Sequence, residues 1–252
     1  MKTIKQTVIA VSLLGVTTLG GAVTSGCGNG RFPNMISKSQ EIEIGRDAAV
    51  QVERQNRIIT SGPDYDRLQR VAARIIPQAD QDFDVEYSVK LIDSPDINAF
   101  ALPGGPIYFY KGLVDLAATD DELASVVGHE AAHVVKRHSA KQISDAQAKS
   151  TLAQIFLGRQ SGAVQQIASL GLNVYQLKFS RDDESQSDEV GFQYLTRAGY
   201  DPDAMASFFT KMAEKTGGGG SKRSEWLQSH PVTSSRIEKA RQRAAEYKRN
   251  RP

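Results

Sequence analysis

The sequence predicts a mainly α-helical α+β fold in which one small sheet packs beside a buried helix that carries two histidines one turn apart. Three observations support this class. Apolar residues recur at helical spacing through most of the chain, the stretch 84–92 alternates with a period of two, and block 129–133 reads His-Glu-Ala-Ala-His within an apolar segment. At 252 residues, with 40% hydrophobic and 24% charged residues, the chain is long enough for one full core.

Residues 1–26 have the pattern of a secretory signal. Lys2 and Lys5 give a positive start, residues 7–19 form an uncharged and mostly apolar run, and small residues lead into Cys27. Glycines and threonines in this region, and the lack of a basic cluster close behind it, argue against a permanent membrane helix. Because Cys27 is the only cysteine, we expect no internal disulfide.

Cys27 follows Ser25 and Gly26 in an arrangement that resembles a bacterial lipoprotein signal, in which the cysteine is lipidated and becomes the new N-terminus. Thr24 stands where that signal usually has an aliphatic residue, and the alternative is ordinary cleavage that leaves a free thiol. Gly28 replaces the aspartate that marks inner-membrane retention in enteric bacteria, which favours the outer membrane. The predicted divisions are a lipoprotein-type signal peptide at 1–26, a tether at 27–36 and a single domain at 37–252.

The charge balance gives no support to nucleic-acid binding. Removing residues 1–26 takes away two lysines and no acidic residue, so the 31 basic residues fall to 29 and equal the 29 acidic ones. The arginine-rich stretch 236–251 is interpreted as the solvated face of a terminal helix, with contact to anionic lipid as the alternative.

Periodicity and stop signals predict the elements in chain order. Before the histidine block they predict helices at 37–54 and 64–76, the second stopped by Pro77, and about three strands at 84–92, 97–102 and 107–110, with a turn at 103–105 and an antiparallel last hairpin. After that block they predict two short helices within 139–174 joined near 158–162, helices at 181–197 and 201–215, a loop at 217–220 and a last helix from about Thr233.

The histidine block has its own helix-start signal. Thr119 and Glu122 have the spacing of a capping box directly before the apolar run. In a helix His129 and His133 differ by about 40° of rotation, so they project from one face one turn apart. Two such imidazoles can bind one metal ion, and Glu130 is placed to take a proton from a water molecule at that metal. This is the H-E-x-x-H arrangement of zinc peptidases.

A catalytic zinc usually has three protein ligands, so a third must come from elsewhere. His138 follows His129 by nine residues, about 180° around a continuous helix, and is predicted to point away from the metal. His230 and the carboxylates remain. Glu184 and Asp188 share a helix face, so Glu184 could bind the metal while Asp188 accepts a hydrogen bond from a ligand imidazole. A solvated acidic helix start explains the same spacing equally well.

Four motifs lie in order along the chain: Asn-Ala-Phe-Ala-x-Pro-Gly-Gly at 98–105, the histidine block at 129–133, Ser-Arg-x-x-Glu-x-x-Ser-Asp at 180–188 and Ser-His-Pro at 229–231. Together they resemble the M48 family of zinc metallopeptidases, and the resemblance runs from about Gln40 to Glu238. The family includes CAAX prenyl peptidases, membrane-bound heat-shock peptidases and periplasmic outer-membrane quality-control peptidases. The resemblance implies a zincin-like, minimal gluzincin core that holds one Zn²⁺ per chain.

The resemblance also implies a role for each matching residue. The implied roles are zinc binding by His129, His133 and Glu184, general-base catalysis by Glu130, support of the site by Asp188, and pairing with the substrate backbone at an edge strand by Asn98, Ala99 and Phe100. Ser187 replaces the alanine usual before Asp188, a change between small residues.

His230 and Arg236 match a histidine and an arginine that are thought to approach the reacting carbonyl in the family, and both are donors able to stabilise an oxyanion. In some periplasmic relatives the histidine instead caps the zinc as an inhibitory fourth ligand. Composition alone also allows an ordinary helix-start turn at Pro231 with a surface arginine.

The expected function is therefore that of a periplasmic, lipid-anchored zinc endopeptidase that cleaves misfolded or unassembled cell-envelope proteins, outer-membrane proteins among them. A peptide that pairs with an exposed strand satisfies its backbone hydrogen bonds with little dependence on its sequence, which suits such substrates. The first alternative is a latent, chaperone-like binder of envelope proteins whose metal is capped by His230. The second is a zinc hydrolase of non-peptide amides, which the strand motif disfavours.

Overall fold

The computed structural model describes residues 34–146, 177–217 and 225–251. Its helices are α1 (Lys38–Gln55), α2 (Pro63–Asp80), α3 (Lys111–Leu116), α4 (Asp120–Val135), α5 (138–146), α6 (Arg181–Arg197), α7 (Ala204–Gly217), α8 (Glu225–Ser229) and α9 (Ser234–Arg249), and its strands are β1 (Ile58–Ile59), β2 (Ser88–Ile92), β3 (Ala99–Ala101) and β4 (Pro106–Tyr110). The predicted mainly helical α+β class is confirmed.

Four predicted features lie wholly or mainly outside the described residues: the signal peptide, the tether 27–36 with Cys27, most of the helical stretch 139–174 with its joint, and the loop 217–220, of which only Gly217 is described, as the last residue of α7. Within the described part of the chain, no helix combines the length and hydropathy required to cross a bilayer.

The sheet has four strands in the order β1-β2-β4-β3, with β2 and β4 parallel and both outer pairs antiparallel. The predicted strands and the antiparallel last hairpin are present, and Gly104 and Gly105 turn the hairpin with φ of 71° and 126°. The additional strand β1 has only two residues, which is too short to show an alternating pattern.

One core joins this sheet to α2 and α4. Leu68, Val71 and Ile75 of α2 are fully buried in it, as their spacing predicts. The prediction that Pro77 ends this helix is wrong, because α2 continues to Asp80 with Pro77 inside it. Proline removes one backbone donor and strains the preceding turn, but Ala79 beyond it is buried in the core, so packing keeps the last turn helical.

The start of α4 is fixed by both its cap and a neighbouring helix. Thr119 Oγ1 accepts a hydrogen bond from Glu122 N at 3.2 Å, which is half of the predicted capping box. The Glu122 carboxylate does not complete the box; it accepts from Ala118 N at 2.7 Å, from Ser207 Oγ at 2.7 Å and from Lys211 Nζ at 2.6 Å. Helix α4 is therefore held to α7 at its first turn.

Helices α4 and α6 cross with their backbones in contact. A Cβ built on Gly128 would lie 2.8 Å from Gly191 O, and one built on Gly191 would lie 2.8 Å from His129 N. Real Cβ atoms do not approach backbone so closely, so glycine at both positions is what allows this crossing. The crossing sits one residue before the first histidine of the block.

We expect Gly191→Ala to force α4 and α6 apart. Although alanine favours a helix by about 1 kcal/mol, the overpacked backbone contact should lower the free energy of unfolding by about 1–3 kcal/mol. Affinity for added Zn²⁺ should fall as well, because ligands on the two helices would separate. Urea unfolding and chelator competition measure the two effects. Gln193→Ala, at an exposed position of α6, is the matched control and should change neither; an unchanged Gly191→Ala protein would contradict the crossing.

Candidate metal centre

His129 and His133 project from one face of α4, as predicted, and both rings are buried. Their Nε2 atoms lie 3.1 Å apart. Burial lowers the pKa of His133 well below its ordinary value, which favours the neutral ring that binds a metal ion. The two imidazoles therefore form one side of a metal site.

Helix α6 brings the third donor. Ser180 and Asp183 form a capping box at its start, so the helix begins one turn before Glu184. Glu184 Oε1 lies 3.4 Å from His133 Nε2, and Glu184 Oε2 lies 3.6 Å from His129 Nε2. Burial alone would raise the pKa of Glu184, but the charges and hydrogen bonds of the surrounding histidines hold it well below its usual value. The carboxylate is thus kept ionised inside the protein.

His230 completes a group of four buried donors with His129, His133 and Glu184. Its Nδ1 lies 2.9 Å from Glu184 Oε1 and 3.3 Å from His129 Nε2. Its backbone N donates to Trp226 O at 2.7 Å, and its ring stacks on Trp226 at 5.2 Å between centroids. The α8 segment therefore places His230 in the position of a fourth ligand.

The donor spacing fits a tetrahedral metal. Ligand atoms about 2.0–2.1 Å from a tetrahedral zinc ion lie about 3.3–3.4 Å from one another. One donor atom from each of the four residues lies within 4.8 Å of the others, and the separations of His129 Nε2 from the other two rings and of Glu184 Oε1 from His133 and His230 are 2.9–3.4 Å. Three imidazole nitrogens and one carboxylate oxygen are also a donor set that suits zinc.

Asp188 and Arg236 support these donors from behind. Asp188 Oδ1 lies 3.0 Å from His129 Nδ1, the ring nitrogen opposite the one facing the metal position. Arg236 donates to both oxygens of Asp188, at 2.8 and 2.7 Å, and its Nη1 lies 2.6 Å from Glu184 Oε2. Burial would raise the pKa of Asp188, but His129 and Arg236 lower it. Arg236 therefore holds the carboxylates of both Glu184 and Asp188.

Glu130 is fully buried on the same helix as the two histidines. Its Oε1 accepts a hydrogen bond from Trp226 Nε1 at 3.1 Å, and His230 Nε2 lies 3.7 Å from the same oxygen. Its Oε2 has no hydrogen-bond partner among the described residues. An ionisable oxygen left free beside the donor group is suited to accept a proton.

His138 is not one of the four grouped donors, as its predicted direction implied, but its buried ring lies against His133 rather than away from the site. The nine-residue argument assumed one continuous helix, whereas α4 ends at Val135 and Arg137 adopts a left-handed φ of 56°. The chain therefore turns back, and His138 Nδ1 lies 3.0 Å from His133 Nδ1. Burial lowers the pKa of His138 to about 4. Neither glycine nor proline marks this turn in the sequence.

The predicted substrate-binding residues lie at the edge of the sheet, on and beside β3. Asn98, Ala99 and Phe100 are all buried. Asn98 Nδ2 donates to Glu225 Oε2 at 3.0 Å, and Trp226 N donates to Ile97 O at 3.3 Å. Helix α8 is thus bonded to the two residues directly before β3. Glu225 and Trp226 were missed by sequence reasoning, although Trp226 is the only tryptophan and precedes His230 by one helical turn.

Two histidines and a glutamate on one helix, with a second glutamate from another helix completing the donors, define a metal-dependent peptidase of the H-E-x-x-H type. The sequence comparisons agree. Residues 64–244 match the family described as Peptidase family M48. The chain belongs to this family.

Several similar proteins are much longer than the segment that matches this chain. The chain is 32% identical over 216 residues to the mitochondrial metalloendopeptidase OMA1 of Schizosaccharomyces pombe, covering 84% of this chain and 63% of the relative. It is 32% identical over 164 residues to the beta-barrel assembly-enhancing protease of Escherichia coli, covering 61% and 34%. The protein of the same name from Yersinia pestis is 34% identical over 168 residues, covering 63% and 34%. The chain therefore spans less than two-thirds of these relatives' lengths.

We expect Arg236→Lys to weaken the metal site although the charge is kept. Lysine cannot donate to both oxygens of Asp188, so the carboxylate behind His129 would lose its fixed orientation. Affinity for added Zn²⁺ should fall by about 10–100-fold in chelator competition. Arg249→Lys, exposed on the same helix, should leave it unchanged. Equal zinc affinity in both variants would refute the supporting role.

Proposed function

We propose that this protein is a zinc-dependent endopeptidase. The observation that carries the proposal is the free, buried Oε2 of Glu130 beside the converging donors of His129, His133 and Glu184. A carboxylate with one open oxygen at a metal position is what hydrolysis by an activated water needs. The division into a signal peptide, a tether and one catalytic domain from residue 37 is part of the same proposal.

Bound Zn²⁺ would supply a Lewis acid that lowers the pKa of water towards ~7 and polarises a peptide carbonyl. Glu130 Oε2 accepts a proton from the attacking water as its oxygen bonds to the carbonyl carbon. The same carboxyl then gives that proton to the leaving nitrogen as the C–N bond breaks. Arg236 keeps Glu184 and Asp188 in place, and His230 can donate to the developing oxyanion once its ring has moved from the fourth ligand position.

The proposed substrates are unfolded or misassembled proteins of the cell envelope, outer-membrane proteins in particular. Two features support this class: β3 is an edge strand beside α4, and two relatives are named beta-barrel assembly-enhancing proteases. A substrate segment paired with β3 would be recognised mainly through its backbone hydrogen bonds. The proposed location is the periplasm, with a lipid anchor at Cys27 in the bilayer and the outer membrane favoured; nucleic acid is not a partner.

We expect Glu130→Gln to abolish most proteolysis without loss of the metal. The amide cannot accept the proton, so cleavage of an unfolded protein should fall by about 10²–10⁴-fold while zinc content stays at one per chain. Gel-based cleavage assays and metal analysis measure both. Glu189→Gln, at an exposed position of α6, is the matched control. Cleavage by Glu130→Gln at the parent rate, with zinc bound, would show that the mechanism is wrong.

A second candidate is a latent, chaperone-like binder of envelope proteins. The specific observation in its favour is the placement of His230 as a fourth donor, with Trp226 stacked on it and bonded to Glu130. In this closed arrangement the fourth position and one oxygen of the base are both engaged. Proteolysis then requires α8 and His230 to leave the site, and binding at β3 could precede that step.

The two candidates differ in the response to His230→Ala. If the open form is about 0.1–10% populated, the latent-binder candidate predicts that removing the cap raises proteolysis about tenfold or more, with zinc retained by the other three ligands. Trp226→Phe keeps an aromatic ring against His230 but frees Glu130 Oε1, and should raise activity less. Cleavage rates and zinc content are measured together. A loss of proteolysis in zinc-loaded His230→Ala would instead indicate that His230 acts on the reacting carbonyl.

A further inference from the structure

We propose that His138 is a positioning residue that fixes the ring of His133 for metal binding, an inference that rests on the proposed zinc site. Its starting point is the 3.0 Å contact between His133 Nδ1 and His138 Nδ1. Both residues are about 99% buried or more, so no bulk water competes for these nitrogens. A histidine on the short helix α5 therefore lies directly behind a metal donor on α4.

The directions of the ring nitrogens decide the protonation pattern. His133 faces the other donors with Nε2, 3.1 Å from His129 Nε2 and 3.4 Å from Glu184 Oε1. When Nε2 binds a metal, the single proton of the neutral ring must sit on Nδ1. His138 Nδ1 is then the acceptor of that proton, and His138 must carry its own proton on Nε2.

The start of α6 faces the Nε2 of His138 at a distance too long for a hydrogen bond. His138 Nε2 lies 3.6 Å from Asp183 Oδ1, which places a carboxylate beside the proton-bearing nitrogen. Asp183 is itself fixed, because its Oδ2 accepts from Ser180 N at 3.0 Å and from Ser180 Oγ at 2.7 Å. Ser187 Oγ lies 3.3 Å from His138 Nδ1, the same nitrogen that faces His133. The capping box that starts the helix of Glu184 thus also brings a carboxylate near the residue behind His133.

The two histidine donors are therefore supported by different chemistry. His129 is backed by Asp188, a carboxylate that is bonded to Arg236, whereas His133 is backed by a neutral imidazole. A carboxylate partner makes a ligand imidazole more basic, and a neutral partner does so less while still fixing its orientation. Glu130, Glu184 and Asp188 already bring three buried carboxylates to the donor group and Asp183 lies beside His138, so a neutral partner for His133 adds no further charge.

The test compares substitutions at His138 by zinc affinity, measured by chelator competition on the purified full chain. His138→Leu keeps the bulk but removes the acceptor, and should weaken Zn²⁺ binding by about 10–100-fold. His138→Asn places an amide oxygen where Nδ1 lies and should restore binding to within about threefold of the parent. Ile143→Ala, buried on the same helix α5, is the matched control: it should lower the unfolding temperature but leave zinc affinity unchanged.

Long-range ¹H–¹⁵N spectra of the zinc-loaded parent test the same proposal without any substitution, so the result does not depend on whether a variant folds. They should show His138 protonated at Nε2 and unprotonated at Nδ1, and the reverse tautomer would overturn the proposal. Equal zinc affinity of His138→Leu and parent would overturn it too. A parent that binds no zinc would instead refute the proposed function, whereas a zinc-binding parent that fails to cleave protein would leave the role of His138 supported.

Discussion

The contact between the backbones of α4 and α6 is the constraint on which the metal centre depends. His129 and Glu184 are about fifty residues apart in the sequence, and they meet because Gly128 and Gly191 leave no side chain between the helices. At this crossing Asp188 also comes within 3.0 Å of the His129 ring. The geometry of the three donors on α4 and α6 is therefore set by rigid helices, which is the arrangement that holds a site most accurately, whereas His230 lies in the bend after α8.

Charge is the second constraint, because the site concentrates carboxylates where water is excluded. Glu130, Glu184 and Asp188 are each at most 2% exposed, and isolated charges in such surroundings are costly. Arg236 offsets one of these charges, because its single guanidinium bonds to Asp188 and lies 2.6 Å from Glu184. The remaining negative charge faces the converging imidazoles, so a divalent cation at this point would complete the balance as well as the coordination.

The sequence predicted those parts of the fold that depend on local pattern. Block 129–133, the spacing of Glu184 and Asp188, and the turn of Gly104 and Gly105 all follow from periodicity or backbone preference. The reversal at Arg137 does not, because it is stabilised by distant groups: Arg137 bonds to Glu41 at 2.6 Å and to Ile36 O at 2.7 Å. For that reason His138 was placed on the wrong side of the helix. Trp226 was missed because its role lies entirely in tertiary contacts.

The fluorescence of Trp226 can report the position of α8. The chain has one tryptophan, and its indole stacks on His230 and bonds to Glu130 within the catalytic group. Indole emission depends on the polarity and hydrogen bonding around the ring, so emission excited at wavelengths that the eight tyrosines do not absorb comes from one defined place. A movement of α8 into water would shift that emission to longer wavelength. If proteolysis requires that movement, its timescale can be followed without a dye and compared with the rate of cleavage.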